Sequence, residues 1–452
     1  MFEHAETFQE GEVSGNLRLG KLEALYQELF VEVIADGLIT TDERTQLDNM
    51  ADSLGLDRQR LRKLEDALEA AYGAQHHIAD HVAIDIDVSD LAAPPTEVDI
   101  TSPFAAALPH EPHELVRALQ RDPRDEASLH QLFRVYQEQG ETDRAWCVAH
   151  VLAYTSAADA GERACFDAHR TDVLIRPKQP LDPDAWQNLL VHPDEDAGVG
   201  DIFGVVAPAV LLGRLSALRR DDQLPALDAA RRQDPKLSTV QAVRCFSWAA
   251  AIFGMTSPEL HVDPDHPAIV EFVPAIPPVA LLGAHALSDR SSEELAFLAG
   301  EQLTYFRDVH FVSLLTPSIA NLEQIFLAAL CIGKPDLPLA GDVRARVAPI
   351  AHALEPMLEP AAVDRLRSCV VRFVERGGRT NLQRWAEATR KTAARAGLLL
   401  SNDLRTAHDV SSLQNPGADG AGRVQERMDD LLRFATSDSY AELRQRIGIA
   451  VS

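Results

Sequence analysis

Apolar residues recur every three to four positions through most of the 452-residue chain. Residues 17–73 show this spacing first, and similar patterns return after residue 113. A period near 3.6 predicts amphipathic helices, each with one apolar face toward a core. Residues 258–287 differ, because they are rich in proline and β-branched residues and lack that period, which predicts short strands. The pattern therefore predicts a mainly α, multidomain helical protein with a small β element before a helix that starts near residue 291.

Breaks in this periodicity divide the chain into five predicted segments. The clearest break is the run of residues 78–112, which combines acidic residues with Pro94–Pro95 and has no helical period. Such a composition is typical of a solvated linker. The segments are an acidic helical bundle (1–77), an acidic, proline-containing linker (78–112), a helical region (113–257), a domain of short strands and helices (258–410), and a loop with C-terminal helices (411–452).

The net charge of the chain indicates which kinds of partner to expect. The formal net charge is −26, and residues 1–110 hold 22 acidic residues against 7 basic ones. This asymmetry marks the first part of the chain as a distinct module. Because nucleic-acid binding depends on a basic face, the composition predicts that nucleic acid is not a partner.

Hydropathy and cysteine usage predict a cytoplasmic protein. The first thirty residues are acidic, and we find no run of about 18 consecutive apolar residues, so neither a signal peptide nor membrane insertion is expected. The chain has five scattered cysteines, most of them flanked by apolar residues. That usage is typical of buried thiols in a reducing compartment.

Residues 113–170 have the spacing of a paired-helix repeat. With Gly140 as the turn glycine, the small residues Ala145 and Ala149 let two helices approach closely. The other apolar positions expected on the two helices are Leu129, Leu132, Phe133, Tyr136 and Leu152. The stretch resembles one and a half tetratricopeptide repeats, which implies packing against neighbouring helices and no chemistry.

The acidic turn "DGLITTDE" in the first segment has two interpretations. Asp36 and Glu43 match two positions of an EF-hand calcium loop, but Ile34 stands where another oxygen ligand is required. The same residues fit a helix-turn-helix in which Thr41 caps the second helix. This pattern resembles TerB-like tellurite-resistance domains, which are small acidic helical modules. A metal-sensing role through Asp36 and Glu43 stays open.

The helix predicted near residue 291 raises the question of catalysis. Zincin peptidases carry H-E-x-x-H on a helix, where two histidines bind zinc and the glutamate activates water. The segment "ELAFLAGEQLTYFRDVHF" (294–311) follows a strand-like stretch, and in this order of features it resembles the CAAX-protease and HtpX-like peptidases. The resemblance places Glu301 at the first histidine and Gln302 at the catalytic glutamate. It places Tyr305 at the second histidine.

The third zinc ligand of those peptidases is a glutamate in E-x-x-A-D-R-x-G. The matching stretch here is "RKTAARAG" (390–397), in which Arg390 replaces the glutamate and Ala394 replaces the aspartate. The resemblance therefore implies a degenerate zincin-like domain over residues 258–410. All of its zinc ligands and its catalytic glutamate are replaced, and no cofactor is expected.

Two other sets of side chains offer metal ligands. "HVDPDH" contains His261, Asp263, Asp265 and His266, although Asp-Pro and His-Pro also favour an exposed turn. His310 lies nine residues after Glu301. On one continuous helix that spacing would separate them by about 13 Å along the axis, which is too far for one ion.

Together these features predict a non-catalytic protein-interaction or regulatory scaffold built on a pseudo-metallopeptidase domain. Its expected partners are other proteins. Two alternatives stay open: a metal-dependent hydrolase with an atypical site at "HVDPDH" or His310, and a metal-sensing module in the N-terminal domain.

Overall fold

The computed structural model describes a short N-terminal piece and most of the rest of the chain. The protein divides into two compact units, Met1–Pro103 and Phe104–Ser452. Asp36, Glu43 and the predicted linker up to residue 111 lie outside the described residues, so the hypotheses about them stay predictions. The described residues are 11–13, 17–19 and 112–451, without 172, 289 and 317.

The described part of the first unit is an antiparallel hairpin. β1 (Gly11–Val13) pairs with β2 (Leu17–Leu19), and Glu12 lies opposite Arg18. The helical module predicted from residue 17 was therefore placed too early at its start. The Leu-Arg-Leu run alternates apolar and polar residues, which is the period of a strand.

The second unit is mainly α-helical with a small sheet, as predicted. Gly140 ends one helix at φ 74°, a left-handed conformation that glycine adopts without strain. Asp159 begins another with a capping box that includes Glu162. The helices are α1 (Pro112–Arg121), α2 (Glu126–Gln139), α3 (Thr142–Thr155), α4 (Ala160–His169), α5 (Ala197–Arg220), α6 (Gln241–Ile252), α7 (Ala284–Leu287), α8 (Ser292–Tyr305), α9 (Asp308–Leu315), α10 (Ile319–Gly333), α11 (Gly341–Leu354), α12 (Pro360–Glu375), α13 (Leu382–Ser401), α14 (Leu404–Gln414), α15 (Ala418–Ala435) and α16 (Asp438–Ile447).

Short helical turns complete the connections. The turn between α4 and α5 carries the buried Trp186, which lines a pocket described below. The turns are Pro183–Ala185, the π-helical Trp186–Leu190, and the 3₁₀ turns Ala229–Arg231 and Glu355–Met357.

The strands predicted within residues 258–287 are confirmed. These three strands and the earlier strand β3 form a four-stranded sheet in the order β3-β4-β6-β5, in which β4 and β6 are parallel and the other pairs are antiparallel. Both faces of β6 are largely buried, which explains its continuous apolar sequence. β5 is an outer strand of this sheet. The strands are β3 (Arg232–Gln233), β4 (Glu259–Asp263), β5 (Val270–Val273) and β6 (Val279–Gly283).

The helix pair predicted around Gly140 is also confirmed. α2 and α3 flank the glycine, and every apolar position expected on them is buried. The kinship with tetratricopeptide repeats stays a prediction. These helices belong to a core that also takes side chains from α8, α13 and α16, so the predicted segments 113–257, 258–410 and 411–452 contribute to one apolar interior.

A second core lies among α5 and the helices α9 to α12. α13 belongs to both cores. Its first half contributes Trp385 to the second core, and its last turns contribute Leu398 and Leu400 to the first.

α8 and α13 pack at backbone contact. A Cβ atom on Gly300 would lie 2.7 Å from the carbonyl oxygen of Ala396, and one on Gly397 would lie 2.8 Å from the ring of Phe297. Only a residue without a side chain fits either position unless the backbone moves. The two glycines therefore fix the separation of the two helices.

One detail of the predicted helices is wrong. The helix that was expected to start near residue 291 is interrupted after Tyr305 and resumes at Asp308 as α9. The Thr316 hydroxyl donates to Val312 O at the end of α9, and Ser318 precedes α10. In the last segment, α15 begins at Ala418.

Among the described residues, α5 alone is long and apolar enough to cross a membrane. Its mean hydropathy is 1.6, and 39% of the apolar window is buried within the protein. Its first half lies in the second core, as the core helix of a globular protein would. The expected absence of membrane insertion stays a prediction.

Replacing Gly300 with alanine is expected to lower the free energy of unfolding by about 1–3 kcal/mol, because the added methyl group meets the Ala396 carbonyl. Gly422 is the matched control. It lies at an exposed position of α15 with no atom near its Cβ position, so Gly422→Ala should raise stability by about 0.5–1 kcal/mol. Urea denaturation followed by circular dichroism measures both changes. Equal effects at the two positions would show that α8 and α13 are not in backbone contact.

Candidate functional site

Helix α8 carries Glu301, Gln302 and Tyr305, and we call these three residues the pseudo-site after the resemblance to zincin peptidases. The helix is well defined at both ends. Ser291 accepts a hydrogen bond from Glu294 N and Glu294 accepts one from Ser291 N, which forms a capping box. The helix then runs to Tyr305. Its second half carries the three positions that the resemblance identifies as replaced zinc-site residues.

Glu301 is buried and has charged and polar partners on both carboxylate oxygens. Arg427 Nη1 donates to Glu301 Oε1 at 2.9 Å, and Gln414 Nε2 donates to Oε2 at 2.6 Å. Arg427 also donates to Gln414 Oε1 at 2.9 Å. The three side chains form a closed network, so the carboxylate is neutralised by an arginine from α15 and is not free to bind a metal.

Gln302 and Tyr305 line the same cleft as Glu301. Burial and the nearby charge of Glu301 raise the pKa of Tyr305 well above its usual value. The phenol is therefore neutral at physiological pH. Neither an amide nor a neutral phenol serves as a general base there.

Arg390 lies on α13 and is more than half exposed, with Nη2 3.9 Å from Glu387 Oε1. Its charge acts to lower the pKa of Tyr305. Arg390 lines a pocket that shares Arg427 with the pseudo-site cleft and also contains Lys391 and Arg423, together with the acidic Glu387 and Glu426. With four basic and two acidic side chains, this surface beside the cleft is net positive.

The pseudo-site cleft has a volume of about 610 Å³. One wall is the segment before and at the start of β5, and the opposite wall is the second half of α8. The end of α14 and the residues after it close one end. The lining residues are Pro267, Ala268, Ile269, Val270, His285, Leu298, Glu301, Gln302, Tyr305, Leu413, Gln414, Asn415, Pro416 and Arg427.

The outer edge of β5 carries main-chain groups that the sheet does not use. Gly283 N donates to Ile269 O at 3.0 Å, and the register places Val270 opposite Leu282. Hydrogen-bonded pairs alternate along an antiparallel ladder, so the main-chain groups of Val270 and Phe272 point away from β6. Val270 also lines the cleft, so a strand edge with no pairing strand among the described residues lies beside the pseudo-site.

The residues of "HVDPDH" do not converge on one point. His261 is buried and its Nε2 lies 2.9 Å from Glu259 Oε1, whereas His266 Nε2 lies 2.9 Å from Glu271 Oε2. Asp263 forms an ion pair with Arg231, and the exposed Asp265 lies 3.8 Å from the same arginine. The two histidines have separate acidic partners and the two aspartates face a cation, so the hexapeptide does not form a shared set of ligands.

Among the described residues, the structure brings together one set of three possible metal ligands, which the sequence did not indicate. Ligand atoms of His130, Asp159 and Glu162 lie within 4.8 Å of one another. Glu162 accepts from His130 Nδ1 at 2.7 Å and from Asp159 N at 2.8 Å, and Asp159 accepts from two backbone N–H groups of α4. The cluster is thus the capping box of α4 with His130 hydrogen-bonded to Glu162. The carboxylates of Asp159 and Glu162 accept hydrogen bonds from backbone N–H groups at the start of the helix.

A second buried polar network starts from His310. His310 Nε2 lies 2.5 Å from Glu195 Oε1, and Thr392 donates to Glu195 Oε2 at 2.7 Å. Thr392 also accepts from His192 N at 2.9 Å. His192 Nε2 lies 3.2 Å from Asp430 Oδ1. This network joins the turn before α5 to α9, α13 and α15.

His310 has a partner at both ring nitrogens. Nδ1 lies 3.1 Å from Thr304 O, and Nε2 faces Glu195. His310 is therefore paired with Glu195, whereas the partners of Glu301 are Arg427 and Gln414.

Asp430 anchors the far end of the network. Arg395 donates to both of its oxygens, at 3.0 and 2.8 Å. Burial alone would raise the pKa of Asp430, but the hydrogen bond from His192 and the charge of Arg395 hold it well below its usual value. Asp430 is thus ionised over the whole physiological range.

No protein-family model, curated protein or solved structure matches this chain. The resemblances to zincin peptidases, tetratricopeptide repeats and TerB-like domains therefore depend on the sequence features alone.

We expect the contribution of Asp430 to stability to be complete above the ordinary aspartate pKa of about 3.9 and to be lost as pH falls below it, because the folded-state pKa is lowered. At pH 7, Asp430→Asn should destabilise the protein by about 3–5 kcal/mol, since it leaves the buried Arg395 without a counter-charge. The difference from wild type should be constant from pH 7 to about pH 4 and should shrink between about pH 4 and pH 3. Urea titrations across this range measure it.

The matched control is Asp364→Asn, because Asp364 forms an exposed ion pair with Arg367. That change should alter stability by less than about 1 kcal/mol at every pH. A constant difference between wild type and Asp430→Asn from pH 7 to pH 3 would contradict the assignment of Asp430 as a buried carboxylate.

Proposed function

We propose that this protein is a non-catalytic protein-interaction or regulatory scaffold. In this proposal the degenerate peptidase-like domain binds an extended peptide segment of a partner protein in the cleft between β5 and α8. The observation that carries the proposal is the Glu301–Arg427–Gln414 network beside the unpaired edge of β5.

The network supports the non-catalytic part of the proposal. At the position that the resemblance gives to a zinc ligand stands a carboxylate whose oxygens already accept from an arginine and an amide. Binding a metal at Glu301 would require breaking a buried ion pair, which costs several kcal/mol. Gln302 has no titratable group with which to activate water.

The strand edge supports the peptide-binding part. An extended peptide adds to an open edge by main-chain hydrogen bonds, and flanking pockets read its side chains. Val270 and Phe272 offer such main-chain groups, and the cleft between Val270 and α8 offers room for side chains of the peptide. The adjoining surface with Arg390, Lys391 and Arg423 favours acidic side chains on the peptide.

Two further functions remain as alternatives. A hydrolase with an atypical metal site at "HVDPDH" would need His261 and His266 to leave their partners Glu259 and Glu271. Metal sensing through Asp36 and Glu43 concerns residues outside the described part of the chain.

Zinc content tests the pseudo-site. Dialysed wild-type protein is expected to hold far less than one zinc ion per chain, as measured by elemental mass spectrometry. The variant Glu301→His, Gln302→Glu, Tyr305→His, Arg390→Glu should gain zinc only when Arg427→Gln is added, because Arg427 otherwise remains as a cation within the rebuilt site. The four-change variant is therefore the matched control for the five-change variant.

Two results would contradict this reading of the pseudo-site. One is stoichiometric zinc in the wild type that is lost in Glu301→Ala. The other is a five-change variant that folds but takes up no zinc, which would mean that α8 does not correspond to the peptidase helix.

Peptide binding tests the cleft. We expect a display library of extended peptides to yield binders that contain acidic residues, with affinities measured by fluorescence anisotropy. Val270→Pro removes an outward N–H donor on the outer strand, where proline is tolerated, and should weaken binding at least about tenfold. Arg423→Glu should weaken the acidic binders, whereas the exposed Arg365→Glu should not. Binders that are insensitive to Val270→Pro would show that peptides do not add to β5.

A further inference from the structure

A pocket of about 480 Å³ lies where α8 gives way to α9, separate from the pseudo-site cleft. Its walls come from the turn that carries Trp186, the residues after α6, and the break between α8 and α9. The lining residues are Pro183, Trp186, Gln187, Gly254, Met255, Thr256, Phe306, Arg307, Asp308 and Val309.

Arg307 is the charged group at the centre of this pocket. Its guanidinium carbon lies 3.9 Å from the centre of the Trp186 ring, and Trp186 itself is buried. This cation–π contact fixes the plane of the guanidinium. One face of the group is therefore covered by the indole, and its N–H edge is left for other partners.

Those partners are scarce within the described residues. Arg307 makes one hydrogen bond there, from Nη1 to Phe253 O at 3.5 Å, and forms no ion pair. Burial lowers the pKa of its guanidinium, and the charge of Asp308 offsets this only in part. Most of the five N–H donors of Arg307 are thus unused in a partly desolvated position.

Three other arginines in buried or half-buried positions have an acidic partner. Arg395 binds Asp430, and Arg444 binds Asp143. Arg427 binds Glu301. Each has a carboxylate within 3 Å, which is the usual arrangement for a buried arginine. Arg307 is half-buried and has no carboxylate at that distance among the described residues.

We propose that the Arg307 pocket binds a small monocarboxylate with an apolar tail. The carboxylate would accept hydrogen bonds from the guanidinium of Arg307, and the tail would contact Met255, Phe306 and Val309.

The surrounding charges favour a monoanion over a dianion. Arg307 is also the N-cap of α9 and uses no side-chain capping bond, so the positive end of that helix adds to the attraction for an anion. Asp308 also lines the pocket and repels each additional negative charge. A carboxylate carries one charge, whereas phosphate carries up to two near neutral pH.

Benzoate, benzyl alcohol and inorganic phosphate are suitable probes, with binding to the full-length protein measured by isothermal titration calorimetry. Wild-type protein should bind benzoate, and it should bind benzyl alcohol and phosphate at least about tenfold more weakly. Benzoate should also change the tryptophan fluorescence, because Trp186 stacks on the group that receives the carboxylate.

Variants assign the binding to Arg307. Arg307→Met keeps an apolar chain over Trp186 and should abolish benzoate binding, while Arg307→Lys keeps a cation and should weaken it. Arg365→Met removes an exposed arginine elsewhere and should leave binding unchanged. The proposal is overturned if wild-type protein does not bind benzoate at millimolar concentration, if benzyl alcohol or phosphate binds as well, or if folded Arg307→Lys and Arg307→Met bind like wild type.

Discussion

The contact between α8 and α13 at Gly300 and Gly397 is the constraint on which the described site depends. Two helices at backbone contact leave no layer of side chains between them, so polar groups just beyond the crossing must find partners on third elements. Glu301 follows Gly300 directly and reaches Arg427 on α15. Thr392, a little more than one turn before Gly397, reaches Glu195 in the turn before α5. The polar groups next to the crossing are therefore paired with two different elements, α15 for Glu301 and the turn before α5 for Thr392.

Local patterns predicted the local structure well. The turn at Gly140, the strands after residue 258 and the start of α8 at Ser291 follow from spacing, β-branched composition and capping, which all act over a few residues. The break after Tyr305 was missed, because the segment "TYFRDVHF" is helical by periodicity. Arg307 stacks instead on Trp186, a residue 121 positions earlier, and that long-range contact accompanies the change of direction.

In the candidate site, too, the local features were predicted from the sequence and the long-range contacts were not. The sequence placed Glu301, Gln302 and Tyr305 on one helix, and the structure keeps them along one cleft. It gave no indication of Arg427, which is 126 positions from its partner Glu301, nor of the pairing between His310 and Glu195. Such partners are set by how distant helices pack. A buried carboxylate on an apolar helix predicts that a cation exists, and leaves its position in the chain undetermined.

α13 belongs to both apolar cores, with Trp385 in one and Leu398 in the other, and this has a consequence for cooperativity. A shift of the helix along its axis would misalign both sets of side chains at once, while the glycine contact with α8 blocks rotation about that axis. If either core unfolds and releases α13, the other core loses the side chains that α13 contributes to it. Residues 112–451 should therefore open as one cooperative unit despite their two interiors, and fluctuations that expose part of the chain should be confined to elements that α13 does not touch.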